Sequence, residues 1–317
     1  MQDLDSSMLI KTSDIDSIKP FLTKLHLPSR DSHKGQNGKV MLIGGSHLFH
    51  SAIIWPAEVA SYFVDMVHVA STKENNTIIN SIKKKWRNGI VIPQIQIDEY
   101  IREDDAILLG TGMMREEKKQ VVGPEPKDLN SILDNKNEGK KTFELTQYLL
   151  KRFPEKKWVI DAGSLQMMDV VWLMNLRTKP ILTPHQKEFT SLFGEHIVDY
   201  DRDKKQETVR KYALKYKCII LLKAGYDIIS DGESTFVVEG GNAGLTKGGT
   251  GDVLSGIIVS FFAKNDPLVS CLLASYLLKK TSEILYEKKA FWYNNSDIIP
   301  RLPEVLNTLI RQCKLNI

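Results

Sequence analysis

A glycine-rich segment that ends in an aspartate carries the strongest chemical signal of the sequence. The segment, GGNAGLTKGGTGDVLSG, spans residues 240–256. Glycine permits positive φ angles and close approach of a ligand to the backbone. The apolar pattern after Asp252 predicts a helix, whose first N–H groups lack intrahelical partners and lie at its positive end. The segment is therefore predicted to hold a phosphate.

Asp252 is the candidate catalytic group of this segment. A lone aspartate at a helix start more often caps the helix. The glycines around Thr250 favour another role, in which the carboxylate takes or orients the proton of a hydroxyl that attacks a phosphoryl group. We expect the helix N-terminus to keep Asp252 ionised. The segment is not a P-loop, because GxxxxGK[ST] is absent and Lys247 precedes the tight turn.

The elements that must position this turn alternate between strands and helices. Residues 39–46 form an apolar run that ends in two glycines, which is typical of a buried parallel strand. The alternation predicts an α/β fold with a mostly parallel central sheet and helices on both faces. In the C-terminal half, only short turns separate the apolar runs at 218–223, 227–230 and 235–238, so some antiparallel strands are expected there.

The chain is interpreted as one domain with a short lead-in. Residues 1–30 are predicted to be an N-terminal lead-in with a short amphipathic piece, and residues 31–317 a single domain. The polar stretch 113–142 is interpreted as an exposed excursion, because strand–helix alternation resumes after it. Helices are predicted over 143–153 and, at the end of the chain, near 303–313.

Composition excludes several classes of protein. The 317 residues are 42% hydrophobic and 26% charged, as in ordinary soluble proteins, and the net charge of +4 comes without the aromatic–basic interleaving of a nucleic-acid platform. Cys218, Cys271 and Cys313 form no CxxC pair, which indicates reduced thiols and no zinc site. No apolar run approaches a membrane span or a signal core. We therefore expect a cytoplasmic protein that binds neither nucleic acid nor membrane.

Four motifs in order resemble one known family. They are HKGQNGKVMLIGGS, ILTPHQKEF, LLKAGYDIISDG and GNAGLTKGGTGDVLSGII. From about residue 32 to the last helix, the sequence resembles the ADP/ATP-dependent NAD(P)H-hydrate dehydratases of the ribokinase-like superfamily. The resemblance implies a three-layer sandwich fold. Many relatives also carry an epimerase domain ahead of this one; none is expected in the lead-in, so any epimerase is expected to be a separate protein.

The resemblance also implies a reaction. The family restores NADH or NADPH that has been hydrated on the nicotinamide ring. ADP or ATP, with Mg²⁺, phosphorylates the ring hydroxyl, and phosphate then leaves, so that the enzyme is a carbon–oxygen lyase. Two alternatives stay open: a kinase of the same superfamily that acts on a sugar, hydroxymethylpyrimidine or thiazole alcohol, and a nucleotide-binding regulatory protein without turnover.

The resemblance assigns roles to individual residues. Asp252 corresponds to the catalytic aspartate beside the hydrated ring, and Lys223 would face phosphate oxygens as a point charge. The other assignments are Gly249, Thr250 and Gly251 to the anion hole; Ala224, Gly225, Tyr226, Asp227 and Gly251, with Lys223, to the adenine nucleotide; and Ala52, Gly112, His185 and Asn242, with Asp252, to the hydrate. A homo-oligomer is expected, and no motif names metal ligands.

Two segments depart from the family pattern. The usual GPGLG is GTGMM at residues 110–114, and the usual DADAL is DAGSL at residues 161–165. Gly163 thus replaces an acidic residue, and Asp161 must suffice if that carboxylate helped to hold magnesium or order water. These departures bear on the hydrate pocket more than on the phosphate site.

Overall fold

A ten-stranded sheet organises residues 8–117 and 128–314, which are the residues that the computed structural model describes. In chain order the strands are β1 (Met8–Lys11), β2 (Lys39–Ile43), β3 (Met66–Ala70), β4 (Ile90–Ile92), β5 (Ala106–Leu109), β6 (Lys157–Ile160), β7 (Ile181–Leu182), β8 (Ile219–Leu222), β9 (Asp227–Ser230) and β10 (Thr235–Glu239). Their order across the sheet is β1-β10-β9-β8-β7-β6-β5-β2-β3-β4.

The pairing of the strands confirms the predicted fold class. From β8 through β7, β6, β5, β2 and β3 to β4, all neighbours pair parallel, and β1 pairs parallel with β10. β9 runs antiparallel to both β8 and β10. The antiparallel strands therefore lie in the C-terminal half, where short turns leave no room for a crossover helix.

Helices cover both faces of the sheet. The α-helices of the described residues are α1 (Ile15–Leu22), α2 (Ser51–Ala60), α3 (Lys73–Ile82), α4 (Ile97–Tyr100), α5 (Leu129–Leu133), α6 (Glu138–Arg152), α7 (Ala162–Met167), α8 (Gln186–Phe193), α9 (Arg202–Tyr216), α10 (Thr250–Phe262), α11 (Pro267–Lys289) and α12 (Asn295–Gln312). Short 3₁₀ helices cover Gln94–Gln96, Val170–Asn175 and Ala243–Thr246. None of these helices is long and apolar enough to cross a membrane.

Two hydrophobic cores lie on opposite faces of the sheet. Along β2, Val40 and Leu42 join one core while Met41 and Ile43 join the other, as the two-residue period of a strand requires. Helices α1, α2, α10, α11 and α12 pack into the first core, and α5, α6, α8 and α9 into the second. The result is a three-layer sandwich that fixes every helix N-terminus relative to the strand ends.

The predicted lead-in contributes to this fold. Within it, β1 pairs with β10 in the register Met8↔Phe236 to Lys11↔Glu239. In α1, Ile18, Phe21 and Leu22 are buried in the first core. Residues 8–22 therefore supply an edge strand and a core helix. The sequence does not predict the strand, because four residues with one buried side chain form too short a pattern.

Two helices begin earlier than predicted. α6 starts at Glu138, because Asn137 caps it by accepting a hydrogen bond from the Lys140 N–H at 2.8 Å. α12 starts at Asn295 and runs through Pro300 and Pro303, since a capping box and a buried apolar stripe support it. Part of the predicted polar excursion, residues 118–127, lies outside the described residues.

Candidate active site

The carboxyl ends of three neighbouring parallel strands bring the candidate catalytic groups together. Asp161 follows β6, His185 lies just beyond β7, and Lys223 follows β8. In open α/β sheets, ligands bind at this edge. Asp252, in the first turn of α10, interacts electrostatically with Asp161, Glu188 and Lys223. The structure thus brings Asp252, Lys223 and the strand end that carries His185 together at one edge of the sheet.

Lys223 lies at the centre of this cluster. Its Nζ donates to Asp161 Oδ1 at 2.9 Å and lies 4.0 Å from Glu188 Oε2. Its backbone N–H donates to the Pro184 carbonyl at 2.8 Å, which extends the pairing of β7 and β8 to His185. Burial alone would lower the pKa of Lys223, but the nearby carboxylates outweigh it and raise the pKa above its ordinary value. Lys223 is therefore a fixed cation.

The environment of Asp252 corrects one expectation. Burial, and then the negative charge of Asp161, raise the pKa of Asp252 to about 8, against the opposing effect of Lys223. Glu188 raises it further. The prediction that the helix N-terminus keeps Asp252 ionised is therefore wrong, because desolvation and two carboxylates outweigh the helix dipole at neutral pH.

The anion-site turn is shaped by an indole ring and an amide. Gly249 has a φ of +89°, and a Cβ added to it would lie 2.0 Å from a ring carbon of Trp55 and 2.4 Å from Asn295 Nδ2. Asn295, which is buried, also donates from Nδ2 to the Gly248 carbonyl at 3.1 Å. Glycine is therefore required at position 249 both for its backbone angle and for space.

The other two residues of the predicted anion hole have different parts. Thr250 Oγ1 donates to the carbonyls of Leu245 and Lys247 at 2.7 and 2.9 Å, so its hydroxyl folds the turn. Gly251 faces Lys223, because a Cβ added there would lie 3.5 Å from Nζ. The N–H groups of Gly251 and Asp252 belong to the first turn of α10, where they are free to bind a phosphate.

Glu188 is a site residue that the sequence interpretation did not single out. Its carboxylate accepts from the His185 N–H at 2.9 Å and from Gln166 Nε2 at 3.0 Å, while His185 Nδ1 accepts from the Glu188 N–H. This is a capping box at the start of α8. A histidine with glutamate three residues later was visible in TPHQKEF. Nothing local showed that the carboxylate would reach Lys223.

Ala52 and Gly112, both predicted to contact the hydrate, are neighbours. Gly112 has a φ of +69°, and a Cβ added to it would lie 2.6 Å from the Ala52 Cβ and 2.9 Å from the Phe49 carbonyl oxygen. Gly112 follows β5 and Ala52 lies in the first turn of α2, next to β2 in the chain. The two predicted residues therefore share one small patch at the same edge of the sheet as Lys223.

The predicted nucleotide-binding segment 223–227 is anchored at its last residue. Asp227 accepts hydrogen bonds from the Ala224 N–H at 3.3 Å and from Ser275 Oγ at 2.6 Å. Its carboxylate also lies 3.5 Å from Lys279 Nζ. Ser275 and Lys279 both belong to α11. This helix therefore anchors the segment through Asp227. Asp227 is buried and supports the turn through these contacts.

The middle of the same segment is open. Gly225 is exposed, and no atom lies within 4 Å of a Cβ added to it. The ring of Tyr226 lies 5.1 Å from the Arg202 guanidinium, which in turn pairs with Glu239. The space directly beside the Gly225 backbone is therefore unoccupied by side chains of the described residues.

Asn242 is occupied by contacts within the protein. Its Oδ1 accepts from the Gly244 N–H at 2.9 Å and from the Tyr293 hydroxyl at 2.6 Å, and its Nδ2 donates to the Ser282 carbonyl at 3.0 Å. None of these contacts joins it to Asp252 or Lys223. Asn242 caps the 3₁₀ helix that leads into the anion-site turn, which is the role that the geometry supports.

The two departures from the family pattern touch each other. A Cβ added to Gly163 would lie 2.3 Å from the Met113 carbonyl oxygen. The Gly163 N–H donates to the Gly110 carbonyl at 3.1 Å, and Ser164 Oγ lies 3.7 Å from Met113 Sδ. The altered GTGMM and DAGSL segments are therefore one packed unit, in which the backbone at Met113 occupies the space that a side chain at 163 would need.

The described residues contain no group of three or more His, Cys, Asp or Glu side chains arranged to hold a metal ion. Near the candidate site, Asp161 is engaged by Lys223, and Glu188 by Gln166 and His185. The donor set therefore does not fit a metal centre built by the protein alone. A magnesium ion that arrives with a nucleotide would fit as an ion on phosphate oxygens, as is common for Mg²⁺.

Solved structures share this architecture. A ribokinase-like superfamily protein from Enterococcus faecalis aligns with a TM-score of 0.74 and 20% identity over 98% of this chain and 99% of that one. An ADP/ATP-dependent NAD(P)H-hydrate dehydratase from Bacillus subtilis, co-crystallised with ATP and Mg²⁺, aligns with a TM-score of 0.67 and 20% identity over 95% and 99%. The fold is therefore that of the ribokinase-like superfamily.

The sequence comparison is more specific. The sequence model of the NAD(P)H-hydrate dehydratase family matches residues 40–304, and the chain belongs to this family. An ADP-dependent (S)-NAD(P)H-hydrate dehydratase from Nitrosopumilus maritimus is 29% identical over 90% of this chain and 94% of its own length. A bifunctional NAD(P)H-hydrate repair enzyme from Methanocaldococcus jannaschii is 30% identical over 90% of this chain. The chain spans about half, 51%, of that relative's length.

Proposed function

We propose that the protein dehydrates hydrated NADH or NADPH in a reaction driven by an adenine nucleotide. The observation that carries the proposal is the convergence of Asp252, Lys223 and the N-terminus of α10 at one edge of the sheet. Membership of the NAD(P)H-hydrate dehydratase family supports the choice of substrate. A relative of similar extent is named as a dehydratase of this kind.

The first step is transfer of a phosphoryl group to the ring hydroxyl. The Asp252 carboxylate accepts the hydroxyl proton as the hydroxyl oxygen attacks the terminal phosphorus of the nucleotide, and the bond from that phosphorus to the bridging oxygen breaks. The N–H groups of Gly251 and Asp252 and the Lys223 ammonium stabilise the charge on the transferring group. With a nucleotide bound, the Lys223 ammonium would contact both Asp161 and the phosphate oxygens.

The second step is elimination of phosphate. The lone pair of the ring nitrogen expels the phosphate, which leaves with both electrons of the carbon–oxygen bond. The neighbouring ring carbon then loses a proton, and the dihydronicotinamide is restored. Hydroxide is a far poorer leaving group than phosphate, so the nucleotide is consumed to make the departure feasible. The products are NADH or NADPH, inorganic phosphate and the shortened nucleotide.

The raised pKa of Asp252 suits both steps. A base whose pKa is about 8 is close to the working pH, so it can accept a proton and give it back. After the first step, protonated Asp252 can return its proton to the departing phosphate. A carboxylate with the ordinary pKa of 3.8 would be a much weaker base in the first step.

We assign the nucleotide to residues 223–227 and the hydrated ring to the side of Ala52, Gly112 and His185. The open backbone at Gly225 supports the first assignment. ADP and ATP are both candidates, with Mg²⁺ on their phosphates, and two relatives are named ADP-dependent. ADP is therefore the first nucleotide to test.

A small-molecule kinase is the second candidate, because Asp252 and the anion-site turn would serve it equally well. The test is to incubate the protein with hydrated NADH, Mg²⁺ and ADP or ATP and to count the products. One phosphate and one NADH for each nucleotide consumed is the result that the dehydratase predicts. The same test is run with hydroxyethylthiazole in place of the hydrate. If either compound gives a stable phosphorylated alcohol and no NADH forms, the protein is instead a kinase.

Two expectations about the whole protein stay predictions: a homo-oligomer and a cytoplasmic location. Cys218, Cys271 and Cys313 are free and buried, which is compatible with a reducing compartment. Size-exclusion chromatography with light scattering would measure the oligomeric state directly.

A further inference from the structure

Two adjoining cavities lie along the carboxyl edge of the sheet, beyond Ala52 and Gly112. The larger, of about 640 Å³, is lined by Ser71 and Thr72, which follow β3, and by Pro93 and Gln94, which follow β4. The smaller, of about 590 Å³, is lined by His47 and the start of α6. Leu133, Asp134 and Lys141 line both, so the two form one continuous groove, here called the distal groove.

The near end of the distal groove adjoins the predicted position of the hydrated ring. Phe49 has its carbonyl oxygen 2.9 Å, and its Cβ 3.2 Å, from a Cβ added to Gly112. His47, two residues earlier, lines the smaller cavity and hydrogen-bonds to Glu138 at the start of α6. A ligand whose ring lies against Gly112 therefore has a path into the groove past the loop 46–50.

The groove extends along the sheet edge away from the predicted position of the ring. The order β5-β2-β3-β4 places the far cavity two strands beyond β2. With about 4.8 Å between neighbouring strands, the ends of β2 and β4 are roughly 10 Å apart. In hydrated NADH or NADPH, a ribose and a diphosphate separate the ring from the adenosine, so an extended molecule can reach from the ring to the far cavity.

The lining of the groove combines an apolar wall with two cations, as the binding of an adenosine phosphate requires. Ile95 and Val91 give the far cavity an apolar wall, and Ile95 is 48% exposed. Lys73, in the first turn of α3, and Lys141, on α6, supply two cations. No carboxylate of the described residues pairs with either lysine, although Asp134 and Glu138 also line the groove. An apolar surface flanked by free cations suits a base that carries phosphates.

We propose that the distal groove binds the adenosine phosphate half of the hydrated dinucleotide. Lys141, which is shared by both cavities, contacts the diphosphate. Lys73, at the far cavity, contacts the 2′-phosphate that distinguishes NADPH from NADH, and the adenine packs on Ile95. The assignment rests on the proposed function, since it extends the same substrate away from Asp252.

The first test is steady-state kinetics with hydrated NADH and hydrated NADPH at saturating ADP. Lys141→Ala is expected to raise KM about tenfold for both hydrates. Lys73→Ala is expected to raise KM about tenfold for hydrated NADPH only. In both variants kcat should stay within about twofold of wild type. Thr77→Trp, which fills the far cavity without changing charge, is expected to raise both KM values. Lys140→Ala is the matched control, because Lys140 pairs with Glu144 and lies outside the groove. Unchanged KM values in the first three variants would overturn the assignment.

A direct binding measurement separates this assignment from the proposed function. NADPH and adenosine 2′,5′-bisphosphate are titrated into wild type, Lys73→Ala and Lys141→Ala by calorimetry, with no turnover required. Competition between the two ligands, and weaker binding of both to Lys73→Ala, is the expected result. If wild type binds neither, or both variants bind them as wild type does, the groove is not this subsite even in an active dehydratase. If the variants raise KM for ADP and not for the hydrates, the groove takes free nucleotide and the assignment is also overturned.

Discussion

Asp252 and Lys223 owe their properties to two carboxylates on neighbouring strand ends. Asp161 and Glu188 raise the pKa of Asp252 and, by the same charge, keep Lys223 protonated in a partly buried site. One pair of negative groups thus prepares a base and a phosphate-binding cation together. Asp161 and Glu188 are positioning residues in this account, because they act through Lys223 and Asp252.

The pH dependence of the rate should reflect this arrangement. Asp252 acts as a base only when deprotonated, so kcat/KM at low concentrations of both substrates is expected to rise with pH, with a midpoint near 8. Glu188→Gln removes a negative charge that raises the pKa, so the midpoint should move to lower pH. Glu233→Gln, in an exposed turn, is the control and should leave it unchanged. An unshifted midpoint in Glu188→Gln would contradict the role given to Glu188.

The ionised Asp252 carboxylate should also lower the stability of the folded protein at alkaline pH. Its folded pKa of about 8 exceeds the ordinary value of 3.8, so the folded state binds this proton more tightly than the unfolded state. Stability contributed by the proton is full below 3.8 and is lost as pH rises through 8. Asp252→Asn should therefore have a higher Tm than wild type at pH 8, by a few degrees, and a smaller advantage at pH 5. Thermal unfolding at the two pH values measures this, and an equal or lower Tm at pH 8 would count against the buried charge.

At the scale of elements, the anion-site turn depends on three helices. α10 supplies the turn, Trp55 of α2 covers Gly249, and Asn295 of α12 holds the Gly248 carbonyl. The phosphate site is thus fixed by packing among elements that lie far apart in sequence. Thr250 adds to it by tying the turn to Leu245 and Lys247.

Adjacent glycines in this turn should respond differently to alanine. Gly249→Ala introduces a Cβ at positive φ and within 2.0 Å of the Trp55 ring, so the turn must shift. We expect kcat to fall by about 10²-fold or more, as for loss of an oxyanion donor. Gly248→Ala meets no atom within 4 Å and is the control, with kcat within about twofold of wild type. Similar kinetics for the two variants would show that the geometry of Gly249 does not position the phosphate.

At the scale of the whole molecule, the sheet brings Ala52 and Lys223, which are 171 positions apart in the chain (223 − 52), to one edge, and the first helix helps to close the core behind it. Ile18 of α1 is fully buried and belongs to the same core as α10 and α11. The edge strand β1 and this helix connect the start of the described chain to β10 and α11. Stability and the site are therefore linked through one core.

Truncation of a buried side chain in α1 should test that link. Ile18→Ala is expected to lower the free energy of unfolding by about 2–5 kcal/mol, because it leaves a cavity in a packed core. Met8→Ala, where the side chain is 53% exposed, should change it by no more than about 0.5 kcal/mol. Urea denaturation measures both. Equal midpoints for Ile18→Ala and wild type would mean that α1 does not belong to the core.

The sequence made much of this fold predictable because its signals are local. Apolar runs, glycine turns and short hairpin connections indicate a mostly parallel sheet with antiparallel strands near its end, and residues that follow strands, such as Lys223, share an edge by geometry. The contact of Glu188 with Lys223 and that of Gly163 with Met113 join residues 35 and 50 positions apart, so no local pattern reveals them. β1 has one buried residue in four and carries too little periodicity to be recognised.

The most direct test of the central claim follows the long-wavelength absorbance of reduced nicotinamide. Wild-type protein is incubated with hydrated NADH, Mg²⁺ and ADP, then with ATP in a parallel reaction, and Asp252→Asn is treated in the same way. We predict recovery of the absorbance with at least one nucleotide, and a loss of about 10³-fold or more in Asp252→Asn, which should still bind nucleotide by calorimetry. No recovery with either nucleotide, or near-normal recovery in Asp252→Asn, would contradict it.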